Sequence, residues 1–590
     1  MKKLVFLGIS AVFGCASGSG GGRVFSPEWQ NDGGKSIAAV QARIAAAKVD
    51  PGPGVAVGVT DTGLSGVLLD GSGKWKHAGK VDAMPSVSGG VVVATTGGSV
   101  VALDAKSGRK LWQVDSEGRS LRGAGDDGTT TVVSLGSSSG GSSMFLAVER
   151  DGNVSRKFKP EAEIGTPAIQ GGIALVPWGN QYVSAIDVGA GNEVGRLLLR
   201  EQVSHATNLG GSIYFGELSL VRFDDRIGQA VQQQGTQVTL PTRELPGKPL
   251  WFSDGTTVSP ANATARERIR LFAHPNGSEL SGGRFAATYF RIAMGLGATD
   301  GKLHWVTTTK SDVIGGAGTK GGFALCTEDG TVVLRDEIGG DAGSVAFDQP
   351  IRGCAVQAGS FTVARGKPPA PLPQQIAKAI EVREAEMAVA QRFLLRELGA
   401  LKEAFVTKVL IDLAENARTT PMLLEDARQL LSSRRTGAEH MLESLSKHYD
   451  FLTDVLRPPP VGPMADALSA MNESRAAPLL ARHLNDPANT ADDIQRAARA
   501  LEKLATSSEL EELKTFFALY RATADQKELV NAVLSVARAL VRIGGEDGKR
   551  VVRDAARDPL THPDIQAGLG GLVPAEAPPK AAPAAKAAKG

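Results

Sequence analysis

Residues able to do chemistry are scattered through this sequence, and few of them are spaced for it. Asp104, Asp187 and Asp300 each open a turn that closes on a glycine, where an exposed acid could act as a general base. They recur once per repeat, however, whereas a catalytic acid would occur once, so a turn-forming role is expected. Residues 136–140 (Gly-Ser-Ser-Ser-Gly) match the spacing of a nucleophile elbow. No strand-then-helix pattern surrounds them to expose the hydroxyl, and an inter-strand loop is expected instead. Gly33-Gly34-Lys35-Ser36 resembles the tail of a phosphate loop, but Trp29 stands where its first glycine must be. The eight histidines show no metal-ligand spacing, and the three cysteines form no CxxC motif. No catalytic residue, metal or cofactor is expected.

The elements that would have to position such residues are of two kinds. Of 71 glycines, 60 lie in the first 365 residues, together with all six tryptophans (Trp29, Trp75, Trp112, Trp178, Trp251 and Trp305). Turn chemistry with aromatic residues points to β structure there, and the Ala/Leu/Glu/Arg-rich remainder points to helix. At 590 residues the chain is too long for one core. Its net charge of +2, from 65 basic and 63 acidic residues, carries no nucleic-acid footprint. No apolar run after the first 15 residues is long enough to span a bilayer.

The amino terminus reads as an address. Met1-Lys2-Lys3 is a basic n-region, Leu4 to Phe13 an apolar h-region, and Val12-Phe13-Gly14-Cys15 ends it. This resembles a bacterial lipobox, which implies a signal peptide over 1–15, lipidation (palmitate) of Cys15 and a Gly/Ser-rich tether over 16–39. The alternative is an ordinary cleaved signal with an incidental cysteine. With Ala16 rather than Asp after the cysteine, an outer-membrane anchor facing the periplasm is the expected location, with surface display a second option. Cys326 and Cys354 then remain as an even pair in an oxidising compartment. They form either one disulfide between strands about one repeat apart or two buried thiols.

A repeating unit fills residues 40–365. Its clearest copy runs from Gly90 to Trp112: strand, glycine turn, strand, an Asp104…Gly108 turn, and a third strand carrying Trp112. Turn glycines at 73, 108, 152, 191, 228, 301 and 340 are separated by 35, 44, 39, 37, 73 and 39 residues. The doubled step predicts a degenerate unit between Gly228 and Gly301, drawing on Leu250 to Phe252 and Ile269 to Phe272. Units of this size close radially, so an eight-bladed β-propeller is predicted, or alternatively a seven-bladed one. The strands from Cys354 to Ala364 would complete the ring with those near Val55 to Val59.

The Ala-Leu-Asp-Ala-x-Ser-Gly-x-x-Leu-Trp string resembles the pyrroloquinoline-quinone (PQQ) repeat. The resemblance implies that Asp104, Asp187 and Asp300 make turns with glycines such as Gly108, and that Trp112 and Trp305 dock between blades. Families with this repeat include quinoprotein dehydrogenases and the non-catalytic propeller lipoprotein of the outer-membrane β-barrel assembly machinery. The former resemble this chain in fold but use adjacent bonded cysteines, a stacking Trp and a calcium site, and this sequence has no adjacent cysteines.

The carboxyl half follows a proline-rich linker at 366–373. Apolar residues at helical spacing predict a long helical hairpin over 374–457, broken at Thr419-Thr420-Pro421 and near Gly437 and ended by Pro458 to Pro460. Over 464–572, unit starts near 473, 509 and 546 resemble HEAT-type helix pairs, with a bundle that merely props the propeller as the alternative. Residues 573–590, an Ala/Pro/Lys tail, cannot bury a core. The expected protein is a multidomain β + α chain, a propeller followed by an all-α hairpin and HEAT-like solenoid. Its expected role is a non-enzymatic, lipid-anchored scaffold. Envelope proteins are the expected partners, barrel-assembly subunits the specific candidates. A quinone-dependent dehydrogenase and a glycan-binding propeller are the rival readings.

Overall fold

The structure, a computed structural model, describes residues 24–26, 35–48, 50–137, 142–199, 202–209, 212–216 and 219–223. It further describes strand segments at 237–239, 244–245, 248–249 and 269–273, then 284–297, 302–381, 384–447 and 457–573. Cys15, Gly228, Asp300, Leu250 to Phe252 and the tail from 574 onward lie outside them. The chain divides into two compact units, Met1–Ala379 and Ile380–Gly590.

In the first unit, each β segment pairs with the next to make antiparallel blades. Blade two is β4 (Ser86–Ser88), β5 (Val91–Thr96), β6 (Ser99–Asp104) and β7 (Lys110–Asp115), paired in that order. Blade three is β8 (Ser120–Asp126), β9 (Thr130–Gly136), β10 (Ser143–Glu149) and β11 (Val154–Phe158), and blade four is β12 (Ala168–Gln170), β13 (Ile173–Trp178), β14 (Tyr182–Asp187) and β15 (Asn192–Leu198). Blade five is β16 (His205–Leu209), β17 (Ser212–Gly216), β18 (Ser219–Phe223) and β19 (Gln237–Thr239). A two-stranded sheet follows, β20 (Glu244–Leu245) with β21 (Lys248–Pro249). Blade six is β22 (Ile269–Ala273), β23 (Arg284–Tyr289), β24 (Ile292–Gly297) and β25 (Leu303–Thr308), and blade seven is β26 (Val313–Thr319), β27 (Gly322–Thr327), β28 (Thr331–Asp336) and β29 (Asp341–Ala346).

Blade one joins the two ends of this unit. Its outer three strands are β1 (Val55–Val59), β2 (Gly63–Leu68) and β3 (Lys74–Ala78), and its innermost strand is β30 (Gly353–Gln357) from the far end of the unit. Val55 faces Gln357 and Gly58 faces Cys354 in the β1–β30 ladder. Ring closure therefore falls on the segments expected from the sequence. The innermost strands β30, β4, β8, β12 and β16 neighbour one another in that order, and on the other side of β30 so do β26 and β22. Among the described residues there are seven four-stranded sheets and one two-stranded sheet. Ile269 to Phe272 belong to β22, the inner strand of blade six, and not to a separate degenerate unit. The reason is that β22 pairs with β23 in continuous register from Ile269–Tyr289 to Ala273–Phe285.

Burial follows from stacking. A middle strand such as β5 has a neighbouring blade on each side, so its Val91, Val92 and Val93 are all buried despite alternating direction. The outer strand β3 buries Trp75 while Lys74 and Lys76 face solvent. The core is accordingly a set of inter-blade layers, for example Val57, Trp75, Val92 and Leu103 between blades one and two. Close approach around the axis selects small residues. A Cβ on Gly315 of β26 would lie 2.2 Å from the Cys354 carbonyl oxygen. Across this junction Cys326 of β27 is bonded to Cys354 of β30.

Two segments expected as spacers are structured. Lys35–Ala46, which runs from the end of the expected tether into residues expected to open the first β unit, is a helix (α1) whose Val40 and Ile44 pack with Leu175, Leu197 and Phe215 of blades four and five. In the linker, Lys367 exchanges backbone hydrogen bonds with Asp341 at the start of β29. A helix, α2 (Leu372–Ile380), begins inside it, and Gln375 Oε1 accepts from the Val306 amide at 3.0 Å.

The second unit is a two-layer helical array. One layer holds α3 (Ala388–Gly399), α5 (Pro421–Ser432), α7 (Val461–Met471), α9 (Ala491–Leu504), α11 (Lys527–Ile543) and α13 (Pro563–Gly570), each beside the next. The other holds α4 (Ala404–Glu415), α6 (Ala438–Ser446), α8 (Ala477–His483), α10 (Leu510–Tyr520) and α12 (Gly545–Arg557), of which α4, α6, α8 and α10 lie in sequence. The expected long hairpin over 374–457 is thus the opening of the same array. Its breaks are real ends: Pro421 starts α5, and Gly437, at φ +78°, turns the chain into α6. Side chains seal the helix ends. Thr506 and Glu509 form a capping box ahead of α10. Buried Arg434 donates to the carbonyls of Gly399 (3.2 Å), at the carboxyl end of α3, and Glu403 (2.9 Å), just ahead of α4, tying the two helices together. Asp493 binds three helices together, accepting from Gly462 N at 2.8 Å and from Arg428 at 2.6 Å.

Candidate interaction surfaces

The residues singled out by the repeat are consumed by the fold. Asp104 Oδ1 accepts from the Ser107 amide (2.8 Å) and hydroxyl (2.7 Å), and the Gly108 amide donates to the Asp104 carbonyl at 2.8 Å. Asp187 makes the same turn, accepting from the Ala190 amide at 3.0 Å, and Gly191 follows it at φ +76°. Each turn is a seat for the blade before it. Trp75 lies over Gly108, Trp112 over Gly152 and Trp305 over Gly339, all three glycines at positive φ. In blade three Arg156 takes the tryptophan's place over Gly191, and in blade seven Val345 reaches Gly71. Trp75 Nε1 also donates to the Ala105 carbonyl at 3.0 Å, locking the ring on its seat. The glycine under Trp305 is Gly339 rather than its neighbour Gly340, whose amide donates to Asp336 Oδ1.

The remaining chemical motifs fall on ordinary structure. Gly136 ends β9 and Ser143 begins β10, so the Ser/Gly run joins two strands of one hairpin. Lys35 and Ser36 open α1, with no described strand before it. Among the described residues, no three or more His, Cys, Asp or Glu side chains are grouped to hold a metal ion. No helix among them is long and apolar enough to cross a membrane.

What the ring offers instead is two faces. Strands alternate in direction, so the turns between first and second and between third and outer strands share one face, the turn face. The turns between second and third strands and the crossings between blades share the other, the crossing face. On the turn face, Arg43 of α1 donates to Gly171 O at 2.9 Å and pairs with Asp187. The chain then runs to blades one and two, where Gln357 Nε2 donates to Pro51 O at 3.0 Å and to Gly89 O at 2.5 Å. The turn face is therefore partly covered by the protein's own chain.

The crossing face holds the other end of that segment. Phe25, 5% exposed, fits between blades three and four with its ring edge-on to Phe145, Phe158 and Trp178, at 6.3, 6.3 and 6.0 Å. Arg196 donates to the Ser26 carbonyl, stacks 4.8 Å from the Trp178 ring, and is held by Glu193. Nearby, Glu117 accepts from Lys157 and Lys159, which hold its carboxyl down at about 2. On the turn face, at the end of β8, Asp126 is buried, which raises its pKa against the opposing pull of Arg150 at 2.6 Å. None of Phe25, Arg196 or α1 was marked by the sequence reading. Phe25 is one aromatic residue in a Gly/Ser-rich stretch, and α1 is a short amphipathic pattern running from the end of that stretch into residues expected as β.

A family model described as outer membrane protein assembly factor BamB matches residues 29–234, from α1 through most of blade five. The first unit is a β-propeller whose residues 29–234 are similar to that family. Solved structures with a similar course include BamB from Moraxella catarrhalis, at 14% identity and TM-score 0.30, covering 60% of this chain and 95% of that one. The computationally designed Ika8 protein is similar at 12% identity and TM-score 0.32, covering 49% and 97%. Dihydro-heme d1 dehydrogenase NirN, in complex with DHE, is similar at 12% identity and TM-score 0.31, covering 51% and 64%. The propeller is established by its sheet order and ring closure, not by these likenesses. No curated protein matches the chain significantly.

Proposed function

We propose that the protein is a non-enzymatic scaffold, anchored by lipid on Cys15 to the outer membrane and facing the periplasm, that holds envelope proteins together. Subunits of the outer-membrane barrel-assembly machinery are the partner class. The observation that carries this reading is the match of residues 29–234 to the family described as outer membrane protein assembly factor BamB. The geometry supports it: the recurring acids, glycines and tryptophans are occupied in blade docking, which leaves loops and outer strand edges as the surfaces on offer. The helical array adds a second surface, on which Leu519 and Leu560 are 56% and 73% exposed. Exposed apolar side chains of this kind suit protein contact.

The test is cross-linking mass spectrometry on the tagged full-length protein, purified from detergent-solubilised membranes. Barrel-assembly subunits cross-linked to propeller loops are the expected result. Recovery of no stoichiometric protein partner overturns the scaffold reading, as does a bound quinone chromophore. Metabolic labelling with an alkyne fatty acid checks the anchor: label is expected on the wild-type chain and absent from Cys15→Ala.

A further inference from the structure

We propose that the propeller's crossing face at blades three and four lies against the membrane, and that Phe25 sets this orientation. The inference rests on the lipid anchor at Cys15 proposed above. Ten peptide links separate Cys15 from Phe25. Fully extended, they reach about 35 Å. Blades built from strands of up to seven residues are roughly 20 Å thick before their loops are added. Presenting the turn face to the membrane would require the tether to run almost straight from the crossing face past the blade edge. That takes up most of the reach of ten peptide links.

The pin at Phe25 is what makes the choice. Without it, the first docked residues would be those of α1, whose Arg43 is held on the opposite face. Lys35 is twenty residues from Cys15, so that tether would reach up to about 70 Å. Either face could then meet the membrane. Burying the Phe25 ring against Phe145, Phe158 and Trp178 favours the docked segment by roughly ten- to a hundredfold. The hydrogen bond from Arg196 to Ser26 adds direction, because it fixes the carbonyl that follows the ring.

The lipidated full-length protein would be reconstituted into phosphatidylethanolamine/phosphatidylglycerol vesicles with an energy acceptor on the headgroups. A donor fluorophore is placed at Glu161→Cys, on the crossing after β11, or at Lys106→Cys, on the turn face; both sites are exposed. Transfer severalfold stronger from position 161 than from 106 is expected. The gap should close in Phe25→Ala. It should also shrink when ten Gly/Ser residues are inserted after Gly20, a change that leaves the Phe25 pocket intact. Equal transfer from both positions in the otherwise unaltered protein overturns the orientation while the anchor stands. A gap that survives both Phe25→Ala and the insertion overturns the role of Phe25. Failure of the lipidated chain to bind vesicles overturns the anchor, and the inference with it.

Discussion

The seat under each tryptophan makes a quantitative demand on Gly108. A Cβ there would lie 2.6 Å from the Trp75 ring, and the backbone is at φ +68°. Trp75 cannot slide aside, because its Nε1 is tied to Ala105 O at 3.0 Å and the ring is 7% exposed. Gly108→Ala therefore combines two costs. Holding an L-residue in the left-handed region costs about 1–2 kcal/mol, and forcing a methyl group into a packed layer costs about 1–3 kcal/mol more. Gly98, in the tight turn between β5 and β6, separates the two. It has φ +82° with nothing within 4 Å of its would-be Cβ, so Gly98→Ala should carry the backbone cost alone. All six tryptophans lie at or before Trp305, so urea unfolding followed by tryptophan fluorescence reports the propeller without the helical array. Gly108→Ala is expected to lose about 2–5 kcal/mol and Gly98→Ala about 1–2 kcal/mol. In a Trp75→Leu background the cost of Gly108→Ala should fall to that of Gly98→Ala. Equal losses for the two single variants, to within about 0.5 kcal/mol, would refute the docking account.

Two further outcomes follow from the same geometry. The Cys326–Cys354 bond ties the closing strand to blade seven across a separation of 28 residues. On the loop-closure model Cys354→Ala should lower propeller stability by roughly 3.5 kcal/mol, read by tryptophan fluorescence, while the 222 nm transition of the helical array stays in place. An unchanged fluorescence midpoint would mean that the β1–β30 ladder closes the ring unaided. Glu117 should titrate at about 2, below the ordinary 4.5, because Lys157 and then Lys159 hold its charged form. A depressed carboxylate contributes its stabilisation above the ordinary value and loses it as pH falls from about 4.5 towards 2. Carboxyl-detected NMR should show the low midpoint move up in a Lys157→Met, Lys159→Met variant, and a midpoint near 4.5 in the unaltered protein would contradict the contact.

The phase of the repeat was written in the chain because it is local. A turn from Asp104 to Gly108 needs an acceptor at one end and a residue free to take positive φ at the other, and both are visible as letters. The same holds for the helical array, where Pro421 and Gly437 mark ends that the structure keeps. The pairing of β30 with β1 was also legible, since a ring built of equal units must be closed by whatever strands remain at its ends. Other features depend on which surfaces meet in space. The sequence does not distinguish Gly339 from Gly340 as the seat for Trp305, because that depends on the rotation of one blade against the next. Arg156 replacing a tryptophan at blade three has no local signature. Phe25 and the start of α1 lie in a stretch whose composition reads as spacer, and the rest of α1 in residues expected as β. They are ordered only because blades three, four and five present an apolar pocket and a layer that these side chains complete, and composition averaged along a chain carries no information about a pocket built more than a hundred residues away.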